Sequence, residues 1–402
     1  MTPDLGTLRA QSIAELVSAA RTLHIENASS LRKPDLVAAI LRASNAGQGV
    51  TEAAGVLEIL PDGFGFLRAP EYSFAPGPDD VYVSPSQIRR FNLRTGDTIT
   101  GSVRAPKENE RYFALIKVGA VNGVDPEQAR DKVLFENLTA VHPHEWLSLE
   151  TPRAAARGGR LLDLVAPLGR GQRALVTGPA HTGKTELLRV IAEGLAANHP
   201  DVLVMLVLIA ERPEDVTDLE RTAGVEVYAT TFDEPDARHI QVADIAVERA
   251  KRLVEHRRDV VLLFDSLTRL ARAANTVLPP TGRTVGGSID VAAVQKARRV
   301  LGAARAVAEG GSLAVVATLQ ADPGSRTDDA LLDELCGPEN LRLTTRRDAA
   351  DRGLYPALDL ARSRTQRAER FLDPAALAAR VSWRERVGDD LERALEEAGR
   401  AP

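Results

Sequence analysis

Residues Gly178 to Thr185 read Gly-Pro-Ala-His-Thr-Gly-Lys-Thr, a complete G-x-x-x-x-G-K-[ST] phosphate loop placed directly after the apolar stretch Ala174-Leu-Val176. No other feature constrains the fold as tightly, because such a loop works only between a strand and a helix of an α/β sheet. Its backbone N–H groups point inward and cradle phosphates, its lysine reaches the β/γ-phosphates, and its last hydroxyl ligates Mg²⁺. On that reading Gly178, Pro179, Ala180, His181, Thr182, Gly183, Lys184 and Thr185 hold a nucleotide, and Thr185 is also a metal ligand. Glu186-Leu-Leu-Arg-Val-Ile-Ala192 follows with apolar residues at helical spacing, which predicts the helix that the loop must open.

The rest of the 402 residues must supply a sheet for that loop and has room for two or three domains. Hydrophobic content of 44% and charged content of 27% describe a soluble chain. Met1-Thr-Pro-Asp-Leu-Gly6 carries no basic leader and no run of 18 apolar residues occurs, so a cytoplasmic protein without a membrane segment is expected. The single cysteine, Cys336, excludes an internal disulfide. A net charge of -5 argues against wholesale coating of nucleic acid, yet residues 86–118 hold seven basic side chains against three acidic ones.

Four segments are predicted. Residues 1–48 form an N-terminal helical domain, with Ser12-Ile-Ala-Glu15 as a capping box and Pro34 in the first turn of a second helix; Asn45-Ala-Gly-Gln-Gly49 is the linker. Residues 52–122 change to short apolar runs broken by Pro, Gly and Asp (Val56–Leu60, Gly65–Leu67, Val81–Val83, Thr98–Val103, Tyr112–Val118), which predict a five-stranded barrel of OB type. A connector at 123–158 leads to 159–402, a P-loop α/β domain with strands at Arg173–Thr177, Val202–Ile209, Val260–Phe264 and Ser312–Thr318. The whole is thus a multidomain α+β and α/β chain. Ligands bind at the carboxyl ends of such strands, which lead here into the phosphate loop, Glu211, Asp265 and Gln320.

Asp265 ends a buried apolar strand, where it either joins the Mg²⁺ shell or caps the following helix. Glu211 either activates the attacking water or caps the next helix. Arg212, Arg269 and Arg272 either meet phosphate or pair with carboxylates across a subunit interface. In the barrel, Phe64 and Phe66 are two residues apart and face one side of a strand, either as core or as stacking platforms for nucleobases at ~1–3 kcal/mol per base. Arg68, Tyr82 and Tyr112 extend that surface, with Arg89, Arg90 and Lys117 placed for backbone phosphates.

These residues resemble the bacterial transcription termination factor Rho family over about residues 12–372. The strongest stretches are Gly55-Val-Leu-Glu-Ile-Leu-Pro-Asp-Gly-Phe-Gly-Phe-Leu-Arg68, the run Pro76–Asp97, Phe232-Asp-Glu-Pro235 and Asp265-Ser-Leu-Thr-Arg-Leu-Ala-Arg272. The resemblance implies a RecA-like ATPase domain and a ring-shaped homohexamer, or a mixed ring, that uses ATP and Mg²⁺. It also implies 5'-to-3' helicase movement on single-stranded, cytidine-rich RNA, with RNA polymerase and elongation factors as partners. It assigns Phe64, Phe66, Arg68, Asp80, Tyr82, Glu110 and Tyr112 to a primary RNA site. Arg283, Gly286, Gly287 and Arg326 fall in two secondary RNA loops, with arginine where lysine is usual. Lys184, Glu211, Arg212 and Asp265 are carried over as catalytic, Thr185 and Asp265 as metal ligands, and Tyr355 as the ring on adenine.

Departures concentrate in the ATPase half. Ala210 stands for an Asp, His181 for a Lys, and Cys336-Gly-Pro-Glu-Asn340 for a Lys/Met-Gly-Thr-Gly-Asn pattern. Gln366 takes the arginine-finger position, flanked by Arg364 and Arg367, either of which could serve instead with Arg367 as the catalytic candidate, and Gly353 replaces a second Arg. The chain after Leu372 matches no usual C-terminal helices. A second reading therefore stands beside the first: an RNA- and ATP-binding paralogue that hydrolyses poorly and acts as a regulator or in mixed rings.

Overall fold

The structure, a computed structural model, describes residues 5–44, 51–107, 110–151, 157–222 and 224–399. They form two compact units, Met1–Leu134 with Lys251–His256, and Phe135–Ala250 with Arg257–Pro402. The predicted linker Asn45–Gly49 lies outside the described residues.

In the first unit, helices α1 (Leu5–Ala10), α2 (Ile13–Thr22) and α3 (Lys33–Ser44) precede the strands. The capping box is present: Glu15 N donates to Ser12 Oγ at 3.3 Å and Ser12 N donates to Glu15 Oε2 at 2.8 Å. Strands β1 (Thr51–Ile59), β2 (Gly65–Arg68), β3 (Val81–Val83), β4 (Thr98–Arg104) and β5 (Phe113–Val121) close in the order β1-β2-β3-β5-β4. Only the β3–β5 pair is parallel, which gives the predicted OB closure. Alternate residues point inward, so Leu57, Leu67, Val81, Ile99 and Phe113 join Leu5, Leu16, Leu36 and Ile40 in one apolar cluster. Arg9 of α1 is buried against the barrel, its Nε donating to Asp79 Oδ2 at 2.8 Å and its Nη1 to Ala54 O at 3.1 Å. Losing one partner of such a pair strands a buried charge, at about 3–5 kcal/mol.

The second unit is built on a sheet whose strands run in the spatial order Val225–Thr231, Leu203–Glu211, Asp259–Asp265, Ser312–Gln320, Arg173–Gly178, Leu341–Thr344, Arg364–Thr365. All neighbours are parallel except the last pair. Parallel strands are covered on both faces and must be apolar throughout. Val204 to Ile209 and Val260 to Phe264 accordingly form unbroken buried runs. Each of the four predicted strands extends one or two residues further at its carboxyl end, so that Gly178, Glu211, Asp265 and Gln320 are themselves the last strand residues. Helices Pro374–Val387 and Leu391–Gly399 follow, and Trp383, Val387, Leu391 and Ala394 enter the same apolar cluster as Val176 and Leu206. The terminal segment that matched no expected pattern is thus helical and packed.

Candidate nucleotide site and nucleic-acid interface

Strand Arg173–Gly178 ends in the phosphate loop, and helix Lys184–Asn198 begins at its lysine. Gly178 has no room for a side chain, since a Cβ there would lie 2.0 Å from Thr345 Oγ1. Gly183 is left-handed (φ +79°), and its own Cβ would sit 3.0 Å from the Tyr355 ring. The loop is tied by Thr182 Oγ1, which donates to Pro179 O at 2.8 Å, and by Ala180 N, which donates to Asp322 Oδ1 at 2.9 Å. Exposed His181 lies between them. Lys184 Nζ donates to Gly178 O at 3.0 Å and to Pro179 O. Burial pulls its ammonium down to about 8, against partial support from Asp265 and Asp322.

Thr185, Asp265 and Glu211 converge from three elements on a cleft of ≈ 1620 Å³ that Lys184, Arg212, Arg269 and Tyr355 also line. Asp265 Oδ2 accepts from Thr185 Oγ1 and Oδ1 from Thr318 Oγ1, both at 2.6 Å. The helix-cap reading of Asp265 fails, because Ser266 caps the helix Leu267–Val277 by accepting from Arg269 N. Glu211 is no cap either. It is 4% exposed and its Oε2 accepts from Arg269 Nη1 at 2.5 Å, while Arg212 opens the next helix without a side-chain cap. Arg272 donates to Asp328 at 2.8 Å inside the same chain. Arg212 is exposed at the cleft.

Arg364, Gln366 and Arg367 do not line this cleft. Gln366 is tied to its own chain, its N donating to Asn340 O at 2.8 Å and its Nε2 to Glu339 O at 3.3 Å. Exposed Arg367 is left-handed (φ +54°) and its Nη1 reaches His142 Nε2 at 2.8 Å. Gly353 occupies a left-handed turn (φ +71°) after helix Arg347–Asp351, a backbone that arginine adopts poorly. Sequence reasoning missed Thr318, Thr345 and Asp322. A threonine inside the apolar run Ala317-Thr-Leu319 was the available signal for the first.

On the barrel, Phe64, Phe66, Tyr82 and Tyr112 form one aromatic surface. Phe66 lies 5.8 Å from Phe64, 6.2 Å from Tyr82 and 4.7 Å from Tyr112, centroid to centroid. Phe66 is buried at 8% exposure, in edge-on contact with all three rings and outside the apolar cluster that holds its neighbour Leu67. Phe66 is thus buried, as the core alternative expects of it, while Phe64 and the two tyrosines remain half-exposed. Arg68 lies 5.0 Å from the Phe66 ring, and donates to Glu58 Oε2 at 2.6 Å and to Asp80. Burial raises the Asp80 carboxyl to about 6 despite Arg68 and the Gly77 amide. Exposed Glu110 accepts two bonds from Arg104 and is held down at about 2.

In the second unit, strands Thr284–Val285 and Ile289–Asp290 form a hairpin with Gly286 (φ +58°) and Gly287 (φ +68°) at its turn. A Cβ on Gly286 would come within 2.8 Å of Ala330 Cβ, in the helix that Arg326 begins. The two loops predicted to touch RNA are thereby neighbours, with Arg283 and Arg326 both exposed.

Family models match three stretches of the chain. Residues 7–49 match the Rho termination factor N-terminal domain, 53–127 its RNA-binding domain, and 158–365 the nucleotide-binding domain of the ATP synthase alpha/beta family. The chain is 49% identical to transcription termination factor Rho of Buchnera aphidicola subsp. Schizaphis graminum, over 93% of this chain and 90% of that protein. With the Chromobacterium violaceum and Escherichia coli K12 proteins of the same name identity is 50% and 49%, each over 91% of this chain and 88% of the other. A solved type III secretion system ATPase shares the fold at TM-score 0.51 and 22% identity, covering 61% of this chain and 68% of that one. An ATP synthase subunit of Nanoarcheaum equitans does so at 0.53 and 17%, covering 64% of each chain. The phosphate-loop cleft, the aromatic OB face and this identity along nearly the whole length agree, and the chain belongs to the transcription termination factor Rho family.

Proposed function

We propose that this chain is an ATP-dependent transcription termination factor that binds nascent RNA on its barrel and moves 5'-to-3' along it as a hexameric RNA–DNA helicase, releasing transcripts from RNA polymerase. The observation that carries this reading is the convergence of Lys184, Glu211 and Asp265 on one cleft in a chain that also presents the aromatic OB face. Lys184 meets the β/γ-phosphates, Arg212 approaches the γ-phosphate from the rim, Tyr355 stacks on the base, and Glu211 takes the proton of the attacking water. Thr185 and Asp265 offer an all-oxygen set suited to Mg²⁺, which takes one or two protein oxygens and fills its shell with phosphates and water. Bound there it would neutralise charge on the phosphates.

Cytidine-rich RNA should stimulate ATP hydrolysis by the full-length protein. Binding of both ATP and RNA without stimulation would overturn this reading and leave the second one, a hydrolysis-impaired paralogue, for which Gln366 in place of an arginine is the supporting observation.

Asp80 gives the RNA face a base preference and a pH dependence. Its Oδ1 is buried without a hydrogen-bond partner among the described residues, and a carboxylate oxygen accepts from the N4 amine of cytosine. The group is charged above about 6 and protonated below it, so the acceptor is lost as pH falls. Affinity for oligocytidine, read by fluorescence anisotropy, should fall up to about tenfold, or ~1.4 kcal/mol, between pH 7 and pH 5 while oligouridine binding stays level. Asp80→Asn should abolish both the preference and the pH dependence.

A further inference from the structure

Strand Leu203–Glu211 is bulged immediately before Glu211. Its pairing with Val225–Thr231 runs in register to Leu208 opposite Ala229 and resumes at Glu211 opposite Thr231, so that Ile209 and Ala210 together face Thr230. A bulge re-aims the side chains that follow it, here the Glu211 carboxylate. Ala210 holds the bulge in a left-handed conformation (φ +52°), which alanine does not favour, so other groups must fix it.

Those groups are visible on both sides. Arg269 Nη1 donates to Ile209 O at 3.2 Å as well as to Glu211. Opposite, Ala210 N donates to Thr230 Oγ1 at 3.1 Å, and Thr230 Oγ1 lies 2.8 Å from His239 Nδ1 and 3.5 Å from Leu208 O. Thr230 is 0% and His239 3% exposed, and neither lines the cleft. A hydroxyl has one proton to give. With the Ala210 amide donating to its oxygen, Thr230 shares one further hydrogen bond with His239 Nδ1, whose donor is set by the imidazole tautomer.

We propose that Thr230 and His239 are positioning residues for Glu211, a buried strut that sets the bulge and thereby the direction of the carboxylate. The proposal rests on the reading of Glu211 as the group that activates water in ATP hydrolysis.

The test uses the full-length protein and Thr230→Val, which keeps shape and removes the acceptor. RNA-stimulated kcat should fall about tenfold with KM for ATP changed less than about twofold, and Thr230→Ser should restore it. His239→Asn, which can still donate or accept a hydrogen bond, should retain more activity than His239→Leu. Hydrogen exchange at the Ala210 amide should quicken about tenfold in Thr230→Val whether or not ATP is turned over. Wild-type protein without stimulated hydrolysis would sink the functional reading while the exchange measurement still judged the strut. Unchanged exchange in Thr230→Val overturns the strut, and changed exchange with wild-type kcat in an active enzyme overturns its role in positioning Glu211.

Discussion

Glu211→Gln is expected to lower RNA-stimulated ATP hydrolysis by about 10²- to 10⁴-fold while ATP affinity changes less than about threefold. Glutamine has the volume of glutamate and still accepts from Arg269 Nη1, the 2.5 Å contact that holds the side chain at the end of its strand. It cannot take a proton. Single-turnover hydrolysis and the binding of a fluorescent nucleotide separate the two effects, and turnover within tenfold of wild type would remove Glu211 from the chemistry. Arg269→Ala acts differently, because it leaves a nearly buried carboxylate without its counter-charge. That variant should lose stability as well as rate, with a lowered Tm that Glu211→Gln does not share.

Much of this cleft was legible in the sequence, because the phosphate loop needs a strand before it and a helix after it, and both are written in apolar spacing around Gly178 and Lys184. Strand ends were less legible. Apolar runs stop at Ile209 and Phe264, so periodicity ends each strand before the polar residue that matters, whereas backbone pairing continues through Glu211 and Asp265. The bulge gave no signal, since glycine or asparagine would advertise a left-handed position and Ala210 does not. Partners distant in sequence were invisible for a related reason. Arg269 stands 58 residues from Glu211 and Thr318 stands 53 from Asp265, and only the insertion of Ser312–Gln320 between two other strands makes the latter neighbours.

In the barrel, the two-residue spacing of Phe64 and Phe66 predicted a shared face, and that face exists. That Tyr112 joins this face, 4.7 Å from Phe66, depends on β3 and β5 meeting in parallel, a closure that strand patterns alone do not specify. The antiparallel β2–β3 pair, which sets Leu67 opposite Val81, brings Arg68 to Asp80, and both are buried, turning two separate candidates into one hydrogen-bonded unit.

Arg367→Ala is expected to cost about 10³ to 10⁵ in RNA-stimulated hydrolysis, the range over which an arginine finger acts, whereas Gln366→Ala should change it less than about threefold. Gln366 cannot carry charge to a transition state and is bonded at both its backbone and its side chain to the segment Glu339–Asn340 of its own chain. Arg367 is one residue away, exposed, and in contact at its tip with His142, a partner that brings no negative charge. Since Arg367 does not line the cleft of its own chain, it can serve only the cleft of a neighbouring copy. Complementation tests that geometry. Lys184→Ala subunits have a disabled cleft and an intact finger, and Arg367→Ala subunits the reverse, so each preparation should be inactive alone. Mixing them should restore hydrolysis, because the arginine of the first then reaches the cleft of the second. Recovery in the mixture places the finger in trans, and its absence, with both variants shown to co-assemble, would return Arg367 to a structural role.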